Sequence, residues 1–176
     1  ALTGDLTVTG DLASSTSGTS NFRAGVNAGD SIASGGNYNT VVGDEAGTAI
    51  TTGDNNTAVG YNALTTDTQG SNSTAVGYQA LTTQNFTSAT DSHNTAVGYN
   101  AQASVTTGIQ NVAIGSRCGD ALTVGNQNVA VGADALSSDT KGDRNTAVGY
   151  NTLADQNFTS TTDSSNTGVG YNAGGA

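Results

Sequence analysis

Apolar residues in this chain return in one short fixed pattern rather than in helical or simply alternating runs. The block Asn-Thr-Ala-Val-Gly-Tyr-Asn-Ala-Leu recurs along the sequence, with central glycines at Gly43, Gly60, Gly77, Gly98, Gly115, Gly132, Gly149 and Gly170. The intervals between them are 17 or 21 residues, and a degenerate copy around Gly25 lies 18 residues upstream of Gly43. Both long intervals carry nearly the same insertion, Gln84-Asn85-Phe86-Thr87-Ser88 and Gln156-Asn157-Phe158-Thr159-Ser160, 72 residues apart. A four-coil unit has therefore been duplicated. A period this short is one turn of a solenoid, too small to bury its own side chains and stable only when stacked on its neighbours. The pattern predicts an all-β chain, a parallel β-solenoid (β-roll or β-helix) of 17–21-residue coils.

Within each block the residue before the glycine is β-branched: Val42, Val59, Val76, Val97, Ile114, Val131, Val148 and Val169. Residues two apart share a strand face. This row, the Thr or Val two places earlier and the Tyr after the glycine are thus expected on one face, with the Val/Ile row as a thin aliphatic core. The alternating row (Ala58, Ala75, Ala96, Ala113, Ala130, Ala147) makes the other face nearly flat, suited to a subunit interface or a tight corner. Asn opens the block at Asn39, Asn56, Asn94, Asn111, Asn128, Asn145 and Asn166, with Ser73 in one coil. Asn suits a turn and tolerates left-handed backbone angles, and a stacked row would form an amide ladder. The Tyr row (Tyr61, Tyr78, Tyr99, Tyr150, Tyr171) reads as packing or as a carbohydrate-stacking strip.

Composition narrows the function. Hydrophobic residues are 34% and charged residues 10% of 176, with Gly 25 and no Pro, Met or Trp. Long helices are not expected from a Gly-, Asn- and Thr-rich chain. The absence of Met implies that Ala1 follows a cleavage or begins an excised segment. Four Lys+Arg against 14 Asp+Glu, a net charge of −10, argue against a nucleic-acid partner, because phosphate binding needs basic side chains. No apolar run is long enough for membrane insertion as a helix. Residues 1–12, with Thr-Gly-Asp-Leu repeated, read as a short strand segment. Residues 13–20 have the composition of a flexible linker, and 21–176 form the repeat domain.

No constellation for catalysis stands out, so the chain is not read as an enzyme and no cofactor or metal is expected. His93 falls in an insertion loop where the duplicated unit has Ser165, and Cys118 replaces an Ala of neighbouring coils. The carboxylates are scattered, and a weak Ca²⁺ site at an Asp-rich turn is the most they suggest. Asn-x-Thr sequons at Asn85 and Asn157 lie in the projecting insertions and are candidate glycosylation sites.

The Asn-Thr-Ala-Val-Gly-Tyr-Asn-Ala-Leu repeats, preceded by Gly-Asp-Leu-Thr-Val-Thr-Gly-Asp-Leu, resemble the repeat regions of bacteriophage tail fibres. More distantly, Asn-Val-Ala-Ile-Gly-Ser (Asn111 to Ser116) is similar to the head repeat of trimeric autotransporter adhesins, which are trimers of left-handed parallel β-rolls. The resemblance implies an extracellular or virion location and a left-handed coil. It also implies partnership with further copies of the chain, as a homotrimer or by head-to-tail stacking. The expected role is a rigid shaft segment of a fibre. The alternatives are an adhesin head binding surface glycans and a subunit of a self-polymerising filament.

Overall fold

The computed structural model describes residues 17–174, and the expected strand at residues 1–12 lies outside them. Among the described residues there is no helix. In chain order the strands are β1 (Phe22–Ala24), β2 (Thr40–Val42), β3 (Thr57–Val59), β4 (Gly70–Ser71), β5 (Thr74–Val76), β6 (Thr90–Asp91), β7 (Thr95–Val97), β8 (Val112–Ile114), β9 (Val129–Val131), β10 (Gly142–Asp143), β11 (Thr146–Val148), β12 (Thr162–Asp163) and β13 (Thr167–Val169). Nine of them make one parallel sheet in the order β1-β2-β3-β5-β7-β8-β9-β11-β13, and β4-β6 and β10-β12 form two small parallel pairs. Register is strict: Ala58 lies beside Ala75, Ala75 beside Ala96, and Val76 beside Val97. The described residues form a parallel β-solenoid of about nine turns.

The Val/Ile row is stacked in register but does not form the core. Val42, Val59, Val76, Val97, Val131 and Val148 are half-buried, and Ile114 and Val169 are exposed. The alanines between them are the residues that point inward, Ala58, Ala75, Ala96, Ala113 and Ala147 all at 0% exposure. The reason is volume. A turn of 17 residues closes around a narrow interior, and that interior must also take the second Ala of the block (Ala63, Ala80, Ala101, Ala135) and a large apolar side chain. Opposite them most strands offer only a methyl group, and in β2 the larger Val41, also fully buried, takes the room left at Gly29 and Gly47.

That large side chain comes from either of two places. In four coils it is the Leu four residues after the glycine, Leu64, Leu81, Leu136 and Leu153. Where this position is Gly29, Gly47 or Gly119, a residue three further on (Ile32, Ile50, Leu122) fills the same space. A Cβ built on Gly47 would lie 2.8 Å from Ile50 Cδ1, and one on Gly119 would lie 3.2 Å from Leu122 Cδ1. One coil breaks the rule with Gln102, 1% exposed, whose Nε2 and Oε1 are buried without a hydrogen-bond partner. A buried polar group left unpaired costs about 1–3 kcal/mol. Gln102→Leu, restoring the residue of four other coils, is therefore expected to stabilise the protein by about that amount. A rise in the urea midpoint with unchanged slope is the expected measurement.

Where Leu occupies the first place, the second is freed for polar residues. Asp67 Oδ1 accepts from the backbone N–H of Gly70 (3.1 Å) and Phe86 (3.0 Å), and Gln84 Nε2 donates to Oδ2. Its duplicate Asp139 accepts from Gly142 N–H (3.0 Å), Phe158 N–H (3.1 Å) and Gln156 Nε2 (2.7 Å). These pairs, the first fully buried and the second with Gln156 half-buried, pin the start of each insertion to the coil.

The Asn row is an internal ladder. Asn111 Oδ1 accepts the backbone N–H of Asn128 at 2.9 Å, and its Nδ2 donates to Gly125 O at 2.8 Å. The same pattern joins Asn39 to Asn56, Asn94 to Asn111 and Asn128 to Asn145, each at 2.9 Å, and Asn145 to Asn166 at 3.1 Å. At Ser73 the ladder is bridged by Gln84, which donates to Ser73 Oγ (2.9 Å) and accepts from Asn94 Nδ2 (2.8 Å). The left-handed backbone expected of this row belongs instead to the residue before it, such as Asn55, Asn72, His93 and Gln110. The ladder Asn must leave that turn to aim its amide inward.

The linker boundary also moves. Thr19 already belongs to the first turn, its N–H donating to Asn37 Oδ1 and its carbonyl accepting from Tyr38 N–H, both 2.9 Å. Arg23 stands at the Ala position of this turn, paired with Asp30, its Nε donating to Ala28 O at 2.6 Å. A charged group there closes the apolar interior with polar atoms.

Candidate interaction surface

The outward face of the nine-stranded sheet carries the Thr or Val that opens every strand but β1, which opens with Phe22, then the Val/Ile row (Ala24 in β1) and the residue after the glycine. Among the described residues, every strongly exposed large apolar side chain except Tyr38 lies on it: Val26, Ile114, Val169 and the five tyrosines of the row. Tyr61, Tyr78 and Tyr99 are stacked with centroids 5.3 Å apart, and Tyr150 and Tyr171 are stacked at 5.5 Å. The stacks follow from the register, which places each ring one strand spacing from the next. Between them, at Ser116 and Ala133, the tyrosines are missing. These two coils also replace Thr by Val112 and Val129 at the opposite edge of the face.

Beside this gap Arg117 donates to Asp134, Nε–Oδ1 2.7 Å and Nη2–Oδ2 3.0 Å, and the carboxylate holds the guanidinium pKa above its ordinary value. Burial pushes the Asp120 carboxyl up. Most other carboxylates bond the adjacent coil, as when Asp54 Oδ1 accepts from Asn37 N–H (2.7 Å) and Asp143 Oδ1 from Asn126 N–H (2.7 Å). They are spent on stacking the turns.

The remaining sequence candidates are dispersed. Burial pushes the Cys118 thiol up to about 12, which leaves it without thiolate character at neutral pH. His93 is exposed at a left-handed turn. Asn85 and Asn157 are exposed, each accepting from a Thr of the preceding coil, Thr68 Oγ1 at 3.3 Å and Thr140 Oγ1 at 3.1 Å. Both sit where the coil runs into its insertion, away from the strands of the large sheet. Among the described residues no three His, Cys, Asp or Glu converge on a common point, and no helix is long and apolar enough to cross a membrane. The surface that sequence reasoning missed is the Thr/Val/Tyr face. Its signal was present in the repeat, as two apolar rows one of which had to face outward.

Comparisons with protein-family models, with curated proteins and with solved structures found no match.

Proposed function

We propose that this chain is a rigid shaft segment of an extracellular or virion fibre, and that copies associate through the Thr/Val/Tyr face. The observation that carries the proposal is that face, which holds all but one of the strongly exposed large apolar side chains among the described residues. Nine coils at about 4.8 Å each give a strip roughly 40 Å tall, and five residues across make it about 16 Å wide. That is roughly 600–700 Å² per copy, close to the ~800 Å² each partner contributes to a standard interface. Exposed apolar patches of this size mark interaction sites. Both four-residue insertions lie in the far arc of the coil, between the second core position and the next strand, so the face keeps a constant geometry. The stacked tyrosines cover one another's ring faces and offer mainly edges, which favours the shaft over a glycan-binding strip.

The test is the mass in solution. Light scattering of the chain is expected to give a discrete oligomer at micromolar concentration. Val76→Asp with Val97→Asp, on the outward row, is expected to return it to monomer with the fold kept, read by circular dichroism. A wild-type chain that stays monomeric at high concentration sinks the reading.

A further inference from the structure

A self-associating stack of near-identical coils has a register problem. Sliding one copy by a single turn, about 4.8 Å, preserves almost every contact unless some coil is marked. The insertions cannot mark it, since they lie away from the sheet face. The face itself carries a mark in mid-stack, where the coils around Gly115 and Gly132 lack the tyrosine of the coils on either side; the first two coils lack it as well, with Val26 and Asp44 in its place.

In the seven coils from Gly60 to Gly170 the residue opening the strand and the residue after the glycine change together, whereas the first two coils pair Phe22 with Val26 and Thr40 with Asp44. Five coils pair Thr with Tyr, as in Thr74 with Tyr78 and Thr95 with Tyr99, whereas two pair Val with a small residue, Val112 with Ser116 and Val129 with Ala133. Among the described residues no hydrogen bond or ring contact joins these two positions within one chain. They stand at opposite edges of the face with the Val/Ile row between them, and each paired ring stacks on the tyrosine of an adjacent coil. Across an interface they meet. If copies are related by rotation about an axis parallel to the stack, facing strands run oppositely, and the Tyr edge of one copy lies on the Thr edge of the other at the same level. Tyrosine then covers a Thr, and where the ring is absent an apolar Val faces Ser or Ala. Ile114, the one Ile in its row, stands in a coil without a ring and adds a methylene back. An antiparallel two-fold along the strands would instead set Tyr edge on Tyr edge and leave the exchange without purpose.

Resting on the association proposed above, we infer that the coils around Gly115 and Gly132 are a register lock that holds copies parallel and level. A slip of one coil mismatches two levels, setting Tyr99 on Val112 and Ala133 on Thr146. A slip of two mismatches four. This is the logic by which a single altered core layer fixes the register of a coiled coil.

Cysteine pairing tests it. Chains carrying Thr74→Cys are co-refolded with chains carrying Tyr78→Cys, and separately Thr95→Cys with Tyr78→Cys. A slip of one coil takes the sulfurs out of disulfide reach, so the level pair is expected to form covalent dimer at least about tenfold faster. In a background of Val112→Thr, Ser116→Tyr, Val129→Thr and Ala133→Tyr, residues that other coils already carry, the oligomer mass should persist. The two pairs should then cross-link within about threefold of each other. Equal rates in the unmarked-by-mutation chain, or strict register after the lock is erased, overturn the inference while leaving association intact. A monomeric wild-type chain with no covalent dimer from either pair overturns both.

Discussion

Gly98→Ala should lower the melting temperature far more than the same change at Gly170. At both positions the backbone is in a region that L side chains rarely adopt, φ 141° and 119° respectively. That strain costs about 1–3 kcal/mol. The surroundings differ. A Cβ on Gly98 would lie 2.3 Å from Gly115 O and 2.6 Å from Gly115 C, both backbone atoms of the next coil, whereas a Cβ on Gly170 meets nothing within 4 Å. Relief at Gly98 requires two turns to separate, breaking the stacking bonds around them, such as Gly115 N–H to Val97 O at 2.8 Å. The total is expected to exceed about 4 kcal/mol at Gly98, which for a domain of this size is a loss on the order of 10 °C or more. Gly170→Ala should show the strain alone, about 1–3 kcal/mol, and so a clearly smaller loss. Equal shifts in thermal melts followed by circular dichroism would refute close coil approach as the reason for the glycine row.

What could be read from the residues, and what could not, divides along a physical line. The glycine period gave the turn, because close backbone approach is a constraint no other residue satisfies. The strands fell where β-branched residues and Thr alternate with Ala, and the Asn row lined up because identical amides one turn apart bond one another. The direction of the sheet was misjudged. Val97 is larger and more apolar than Ala96, and burial usually follows size, but here the enclosed volume is set by how tightly a 17-residue turn closes. Two rows of Ala were the clue, since a core built from Val would leave no reason for methyl groups on the solvent side. The placement of Leu64 inside was hidden by its left-handed backbone, φ 52°, which switches the face expected from simple alternation. The polar interior at Asp67 and Gln84 was hidden for a different reason. Those residues are buried only because each supplies what the other lacks, and that pairing spans separate coils. The Thr/Val/Tyr face follows from the same inversion.

Asn111→Ala is expected to damage the ladder severely, for the opposite reason to the glycine: it removes atoms rather than adding one. Its side chain serves three groups at once. Oδ1 accepts from Asn128 N–H at 2.9 Å and from Asn128 Nδ2 at 3.2 Å, and Nδ2 donates to Gly125 O at 2.8 Å. Asn128 is completely buried, so water cannot replace what is lost. Leaving a buried donor and a buried acceptor unpaired costs about 1–3 kcal/mol each, hence roughly 2–6 kcal/mol together. Asn111→Ser should do nearly as badly, although Ser occupies the row naturally at position 73. There Gln84 reaches across to Ser73 Oγ and Asn94 Nδ2, whereas the coil holding Asn111 has Val105 and Leu122 in the neighbouring core positions, which offer no polar atom. Adding Leu122→Gln to Asn111→Ser reproduces the natural bridge only if the Leu slot can be filled again from Gly119, as Gly119→Leu would do. The triple variant is therefore expected to recover part of the urea midpoint lost by Asn111→Ser. If Asn111→Ser alone melts like wild type, the amide ladder is not what holds the turns in register.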